Sequence, residues 1–393
     1  MTEIQNTFIN ILKSYIWDET IVLPYDTDFS ELFNLSKIHE VTGIVAAVGR
    51  KCGYLVPADI IKKFDASLVA SVFYSADCDS VYAEVSSALA EKSIKNIAVK
   101  GPVIKRYYPD PDLRTMGDID LVIHKDDMAN ARKVVESLGF EIEECGVDEY
   151  KYIRNKSCVE LHEDLTSKDF GNNVDYKEEM QKIFDNIKNP DEFSQELTDE
   201  FHLVYMILHI ASHLVGRGCG VRQLMDIALL LKKTDIDMDI VWRELESLKL
   251  TRLAHNIFYL CNVWFGVKCD EYVADSKLYE TLSDYIILGG VFGDGEDREN
   301  NGTLRESYRK STLGFLFARA FPPIAYMRAS IGWFREKPAF LLPIAWVYRW
   351  IRSYTDHSSK INEYLKKAVV TGDETTAKEL EMLRELGFYE NKK

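Results

Sequence analysis

Asp118 and Asp120 stand two residues apart in an otherwise apolar run, Met116-Gly117-Asp118-Ile119-Asp120-Leu121-Val122-Ile123. In a strand, side chains alternate with a period of two, so both carboxylates project from one face, about 7 Å apart. Like charges at that spacing repel, and a hard cation between them removes the repulsion. Mg²⁺ is commonly held by one or two carboxylates together with substrate phosphates. The pair therefore points to a Mg²⁺ site that engages phosphates. A half-exposed strand with its acids on the wet face would read the same, so the surroundings decide.

Just upstream, Asn96-Ile97-Ala98-Val99 is a short β-prone segment that ends in Lys100-Gly101, followed by Pro102. Glycine permits a tight turn and proline suits the first turn of a helix. The pattern predicts a helix over Pro102–Tyr108, stopped by Pro109 and Pro111. A strand, a glycine turn and a helix N-terminus make a seat for phosphate, with Lys100 and Gly101 at its centre. The loop Asp110–Met116 brings Arg114. Its planar guanidinium suits phosphate or carboxylate, and it could equally pair with Asp118 or Asp120.

Downstream, Met128, Ala131, Val134, Val135 and Leu138 recur at helical spacing. Asp126 or Asp127 is the expected cap and Gly139 the stop. Phe140–Glu143 alternates as a strand. Tyr150–Arg154 and Cys158–His162 alternate on either side of Asn155-Lys156-Ser157, which predicts a hairpin. On its second arm Glu160 and His162 share one face. A third carboxylate thus reaches a neighbouring strand, where it could complete a metal site.

In this order of strand, Lys-Gly turn, helix, Arg loop, Gly-Asp-Ile-Asp-Leu strand, helix and Glu-Leu-His hairpin, the chain resembles the bacterial uncharacterised nucleotidyltransferase family of the polymerase-β-like superfamily. The resemblance covers about residues 90–165. It extends more loosely through the helical remainder, where His209, His213 and the run Arg222–Asp226 resemble the family's second half. It implies two Mg²⁺ ions held by three carboxylates, Asp118, Asp120 and Glu160, which would also be the catalytic residues. It implies an NTP donor and a hydroxyl acceptor on a small molecule or a protein. Lys100, Gly101, Arg114 and His162 would then serve the cofactor side, and His209, His213, Arg222 and Asp226 the acceptor side. Where the superfamily carries Gly-Ser at the phosphate turn, this chain has Lys100-Gly101-Pro102, and Glu160 replaces the usual third Asp. The altered turn favours an alternative, a non-catalytic nucleotide-binding or antitoxin-like module that keeps only the fold. The three acids favour the transferase.

Composition fits an enzyme of two or three domains: 393 residues, 46% hydrophobic and 28% charged. Lys plus Arg number 48 against 63 for Asp plus Glu, a net charge of −15, so a nucleic-acid partner is not expected. The seven cysteines are scattered without a Cys-x-x-Cys pair, as in a reducing compartment. The first residues carry early acids and no basic stretch before an apolar core, so no signal peptide is expected. The most apolar stretch, Ala339–Tyr348, is too short to span a bilayer and holds Pro343. A cytoplasmic location is therefore expected.

The expected fold is α+β: a small mixed sheet in a core over 91–190, a helical segment over 1–90 before it and a helical domain over 191–393 after it. The acidic stretch Asn189–Glu200 is the expected hinge. Phe8, Ile11, Leu12 and Tyr15, then Phe29, Leu32, Phe33 and Leu35, then Val69, Val72, Phe73 and Ala76 space as helices. From Phe201 the chain is helical again. His209 and His213 lie four apart on one face, and a zinc-protease pattern would need Glu where Ile210 stands. The pair is expected to be structural, held by Asp226 or a backbone carbonyl, or else to face substrate. A core this small cannot enclose two substrates, so the helices from Phe201 should form the other wall of a cleft. Phe321–Tyr354 combines aromatics with Arg328, Arg335, Lys337, Arg349 and Arg352. Such a stretch could bind a membrane surface or a nucleic-acid strand. Four prolines break it into pieces, which predicts a strap with Trp333, Trp346 and Trp350 buried. Leu380, Met382, Leu383 and Leu386 predict a last surface helix.

Overall fold

The computed structural model describes residues 1–393 except 55, 146–148, 164–169, 173, 217, 270–275, 292–316, 318–319, 335–336, 353–373 and 390–393. The alternating segments form one mixed sheet of six strands: β1 (Asn96–Val99), β2 (Ile119–Ile123), β3 (Glu141–Cys145), β4 (Glu149–Arg154), β5 (Ser157–His162) and β6 (Ser194–Glu196). Their spatial order is β3-β4-β5-β2-β1-β6. β1 runs antiparallel to β2, and β5 lies parallel to β2 on its other side. That register sets Asp120 beside Glu160 and Val122 beside His162. Asn155, at φ 57°, turns the β4–β5 hairpin.

Helices flank the sheet on both sides in sequence, giving the α+β fold that the patterning predicts. Before it come α1 (Glu3–Trp17), α2 (Phe29–Ile38), α3 (Thr42–Cys52) and α4 (Ala58–Glu91). Within it lie α5 (Gly101–Ile104), α6 (Lys125–Ser137) and α7 (Tyr176–Glu179). After it come α8 (Asp199–Val215), α9 (Val221–Lys233), α10 (Met238–Ser247), α11 (Thr251–Phe265) and α12 (Ser276–Gly289).

Period two divides the sheet into two faces. Ile119, Leu121, Ile123, Val159 and Leu161 point to one side and pack on α4 and α6 through Val81, Val85, Leu89, Ala131 and Val135. On the other side Ile97, Val99 and Val122 join a larger core shared by α1–α3 and α8–α12. Asp120 lies on this second side, so the acidic face looks toward the helices that follow the sheet.

Several local expectations shift. The cap of α6 is His124, whose ring accepts the N–H of Asp126. The helix begins one residue before the acids, and Asp126 and Asp127 sit in its first turn, where they suit the helix dipole. The stretch Asn189–Glu200 is not a loose hinge. It supplies β6, which pairs parallel with β1, and Thr198 caps α8. Residues Ile324–Ser330, Gly332–Phe334 and 342–352 form a separate small cluster around Met327, Ile331, Phe334 and Ala345. Trp346 is half-buried there, but Trp333 and Trp350 are each 39% exposed, against the expectation of burial. So small a cluster cannot cover three indoles. The N–H groups of Trp346 and Trp350 reach the carbonyls of Pro322 and Ala320, so these rings tie the segment to itself. Arg335 lies outside the described residues. The last helix, Glu374–Glu385, forms as its spacing predicts and sets Met382 and Leu383 into the large core. Among the described residues no helix is long and apolar enough to cross a membrane.

Candidate functional site

The centre of the site lies where the neighbouring parallel strands β2 and β5 run side by side. Ligand atoms of Asp120, Glu160 and His162 lie within 4.8 Å of one another. Asp120 is 1% exposed. Its Oδ1 takes Lys100 Nζ at 2.6 Å and His162 Nε2 at 3.0 Å. Its Oδ2 is buried with no hydrogen-bond partner among the described residues. A buried carboxylate oxygen without a partner is costly, and a cation relieves it. Two carboxylates and one imidazole also make a reasonable donor set for a divalent metal. The residues therefore fit a metal ion.

This donor set differs from the expected one. His162, read as a cofactor-side residue, takes the place of Asp118. The alternation argument requires both acids to be inside the ladder, and Asp118 precedes the first residue of β2. Released from the strand, its carboxylate stays near the centre without joining the three. Its pKa is raised, first by the charge of Asp120 and then by burial. Burial opposes the charge on Asp120, but Lys100 and the His162 hydrogen bond outweigh it and hold the carboxyl below the usual range. Glu160 is pushed up to about 8 by burial, then by the charges of Asp120 and Asp118. His162 is raised because its bond to Asp120 overcomes the cost of burial.

The turn after β1 is built around Lys100 and Gly101. Lys100 has φ 55° and ψ −118°, a backbone region that glycine ordinarily occupies. This conformation sends the ammonium inward onto Asp120. Its own N–H donates to His202 Nε2 at 3.2 Å. His202 is 1% exposed, and burial lowers its pKa to about 3, so the ring is neutral and accepts. Gly101 lets two side chains close in: a Cβ would meet Met116 Sδ at 2.7 Å and Arg114 Nη1 at 2.9 Å, so a larger residue would displace them. Sequence reasoning passed over His202. Its signal is the seven-residue spacing to His209, which places both on one face of α8. The rings of His202, Tyr205, His209 and His213 follow one another along that face.

Arg114 pairs with neither Asp118 nor Asp120. Its Nη2 reaches Asp226 Oδ2 at 2.7 Å and its Nε reaches Oδ1 at 3.3 Å. Asp226 also accepts from Tyr108 OH at 2.6 Å. His213 has Gly218 O at 3.0 Å from Nδ1. Arg222 bonds Glu40 and the carbonyl and hydroxyl of Thr115. These side chains line a narrow cleft of about 90 Å³ with Lys100, Gly101 and Asp118 on one wall and His209, His213, Arg222 and Asp226 on the other. The sheet core and the later helices thus meet at one cleft.

An acid on a central strand with a second just before it, a third acid on the parallel neighbour and a Lys-Gly turn beside them are the arrangement expected of a nucleotidyltransferase. The chain belongs to the uncharacterised nucleotidyltransferase family, whose profile matches residues 25–266. That range runs from α2 to α11, so the flanking helices belong to the family's unit as much as the sheet does. Membership supports nucleotidyl transfer as the general function. No curated protein and no solved structure matches the chain.

Proposed function

We propose that this protein moves an NMP group from an NTP to a hydroxyl of a small-molecule or protein acceptor, with Mg²⁺ held by Asp120 and Glu160, His162 beside them, and Asp118 completing a second Mg²⁺ site. The observation that carries the reading is the buried, partnerless Asp120 Oδ2 in register with Glu160. Bound Mg²⁺ would supply charge neutralisation at the α-phosphate and the leaving pyrophosphate. The acceptor oxygen bonds to the α-phosphorus as the bond to pyrophosphate breaks. Glu160, beside the metal as a carboxylate, takes the hydroxyl proton. Lys100 turns its ammonium from Asp120 toward the phosphates, and the Gly101 N–H at the turn receives one of their oxygens. Arg114 keeps Asp226 and the loop rigid rather than touching phosphate. Residues 91–190 would supply the chemistry, and the helices after 191 the facing wall.

One observation favours the non-catalytic alternative. Lys100 already places a positive charge 2.6 Å from Asp120, where a pseudo-site would want one. A thermal-shift screen of ATP, CTP, GTP and UTP, each with and without Mg²⁺, separates the two. Transfer predicts Mg²⁺-dependent stabilisation by at least one NTP and pyrophosphate release once an acceptor is present. Stabilisation that is indifferent to Mg²⁺ supports a nucleotide-binding module, and no stabilisation at all sinks both.

A further inference from the structure

The guanidinium of Arg222 uses only part of its donor set. Its Nη1 bonds the Glu40 carboxylate and, at 2.9 Å each, the carbonyl and hydroxyl of Thr115. No group among the described residues takes Nη2, and Nε is buried without a partner. Nε and Nη2 form the side edge of the planar group, and their parallel N–H bonds fit the two oxygens of a carboxylate or phosphate. Arg114 shows that fit in the same cleft, where its Nε and Nη2 take both oxygens of Asp226. Arg222 keeps the same edge open although the residue is only 9% exposed. A buried donor without a partner costs about 1–3 kcal/mol, and an oxyanion on this edge removes that cost.

The open edge lies on the cleft side. Arg222 lines the narrow cleft, whereas Glu40 and Thr115, which hold the other side of the guanidinium, do not. Gln223, also on the lining, adds a further donor. Its Oε1 accepts the Gly220 N–H at 2.6 Å, which leaves the Nε2 amide with no partner among the described residues. Both residues stand in the first turn of the 13-residue α9, at the positive end of its dipole. Two acids share the lining. Asp226 is saturated by Arg114 and Tyr108. Asp118 opposes an anion, and the Mg²⁺ proposed beside it neutralises that charge. The charge of Arg222 acts on Asp118 more than that of Arg114 does, which sets the open edge near the reacting groups. At about 90 Å³ the cleft takes a small charged group rather than a whole nucleotide.

We propose that Arg222 and Gln223 form an oxyanion seat for the acceptor, which is therefore a small hydroxy acid or phosphorylated hydroxy compound whose carboxylate or phosphate docks on the Nε–Nη2 edge and the Gln223 amide. The proposal rests on the nucleotidyl-transfer reading above and narrows its acceptor. In that reading the NTP phosphates are received at Lys100-Gly101 on the facing wall, so a second set of donors serves a different group.

The test uses the full chain in Mg²⁺ buffer at fixed ionic strength. Inorganic phosphate and acetate are titrated by calorimetry, with glycerol as the neutral contrast, first alone and then with the α,β-methylene analogues of ATP, CTP, GTP and UTP. Phosphate or acetate is expected to bind and glycerol is not. A bound analogue should change the oxyanion Kd by less than threefold, because the two seats are separate. Arg222→Lys keeps a cation for Glu40 and loses the two-donor edge. Gln223→Glu keeps the acceptor for the Gly220 N–H and turns the amide donor into a carboxylate that repels an anion. Each should weaken oxyanion binding tenfold or more, and Gln223→Glu decides the matter where urea denaturation shows Arg222→Lys unfolded. No oxyanion binding in the unaltered chain overturns the proposal, as does a folded variant whose binding stays within threefold of it. A Kd raised threefold or more by an analogue also overturns it, since the seat would then hold the nucleotide's phosphates. Where no analogue binds, the nucleotidyl-transfer reading fails, and the seat still stands or falls on oxyanion binding and its loss in Gln223→Glu.

Discussion

Two buried ion pairs lie on opposite walls of the narrow cleft, and they are built differently. In Arg114–Asp226 every oxygen is satisfied: Oδ2 by the guanidinium, Oδ1 by its Nε and by Tyr108. In Lys100–Asp120 one oxygen takes two donors and the other takes none among the described residues. The first pair is closed and holds the loop before β2 against α9. The second has capacity left over, and the backbone that delivers its lysine is strained. Saturation marks a structural pair, and a buried oxygen left over marks a place for a ligand. The contrast can be broken by substitution, because the two pairs should fail in different ways.

The largest effect is expected at the closed pair. Arg114→Met leaves Asp226 as a buried carboxylate without its cation, which costs about 3–5 kcal/mol. Urea denaturation should show the loss. The double variant Arg114→Met with Asp226→Leu should recover much of it, because no uncompensated charge remains. A loss under about 1 kcal/mol for Arg114→Met would mean that the pair is not what fixes the loop.

Next comes the support beneath the open pair. His202 accepts the Lys100 N–H as a neutral ring, and burial pushes its pKa down to about 3 from 6.5. On acidification the unfolded chain takes up this proton first. The stability that the neutral ring contributes is whole above 6.5 and falls as the pH drops toward 3. The decline is on the order of 1.4 kcal/mol per pH unit in that window. His202→Gln keeps an acceptor and removes the titration, so its stability should fall less steeply below pH 6.5. Parallel curves for the two proteins would show that His202 is not the group responsible.

At the open pair itself, Asp120→Asn should cost only about 1 kcal/mol, since the charge of Asp118 still acts on Lys100 and the repulsion between the two acids is relieved. It should nevertheless abolish Mg²⁺-dependent stabilisation by NTP. Asp118→Asn, outside the close donor set, should weaken that stabilisation without abolishing it. Equal loss from both would restore Asp118 to full partnership in the metal centre. A cost at Asp120 as large as that of Arg114→Met would make the open pair structural as well.

Much of this contrast was legible in the sequence, and the part that was not has a common cause. Local alternation gave β2, the β4–β5 hairpin and the shared face of Glu160 and His162. The Lys-Gly pair after a β-prone segment gave the turn into α5. Asp118 falls outside β2 because period two holds only between paired residues, and nothing in Gly117-Asp118-Ile119 marks where pairing starts. The fate of Arg114 was hidden because its partner is 112 residues away, on α9. His202 was hidden for a similar reason: its role is fixed by the Lys100 N–H, 102 residues earlier. The open edge of Arg222 was not legible either, because Glu40 and Thr115, which take its Nη1, lie 182 and 107 residues away.

The smallest expected effect isolates the strain at Lys100. At φ 55° and ψ −118° a lysine occupies a conformation that suits glycine, at a cost of about 1–3 kcal/mol. Lys100→Met keeps the strain and removes the charge, whereas Lys100→Gly removes both. The two variants lose the same contact with Asp120, so their difference reports the backbone. Glycine's extra freedom in the unfolded chain offsets part of the relief. Lys100→Gly should therefore be more stable than Lys100→Met by about 1 kcal/mol, a gap that urea denaturation resolves. Such a gap would mean that the fold tolerates strain to aim an ammonium at Asp120, which a purely structural turn has no reason to do. Equal stability, or a less stable glycine variant, would show that the turn accommodates lysine without strain, and the two ion pairs would then differ only in their unsatisfied oxygen.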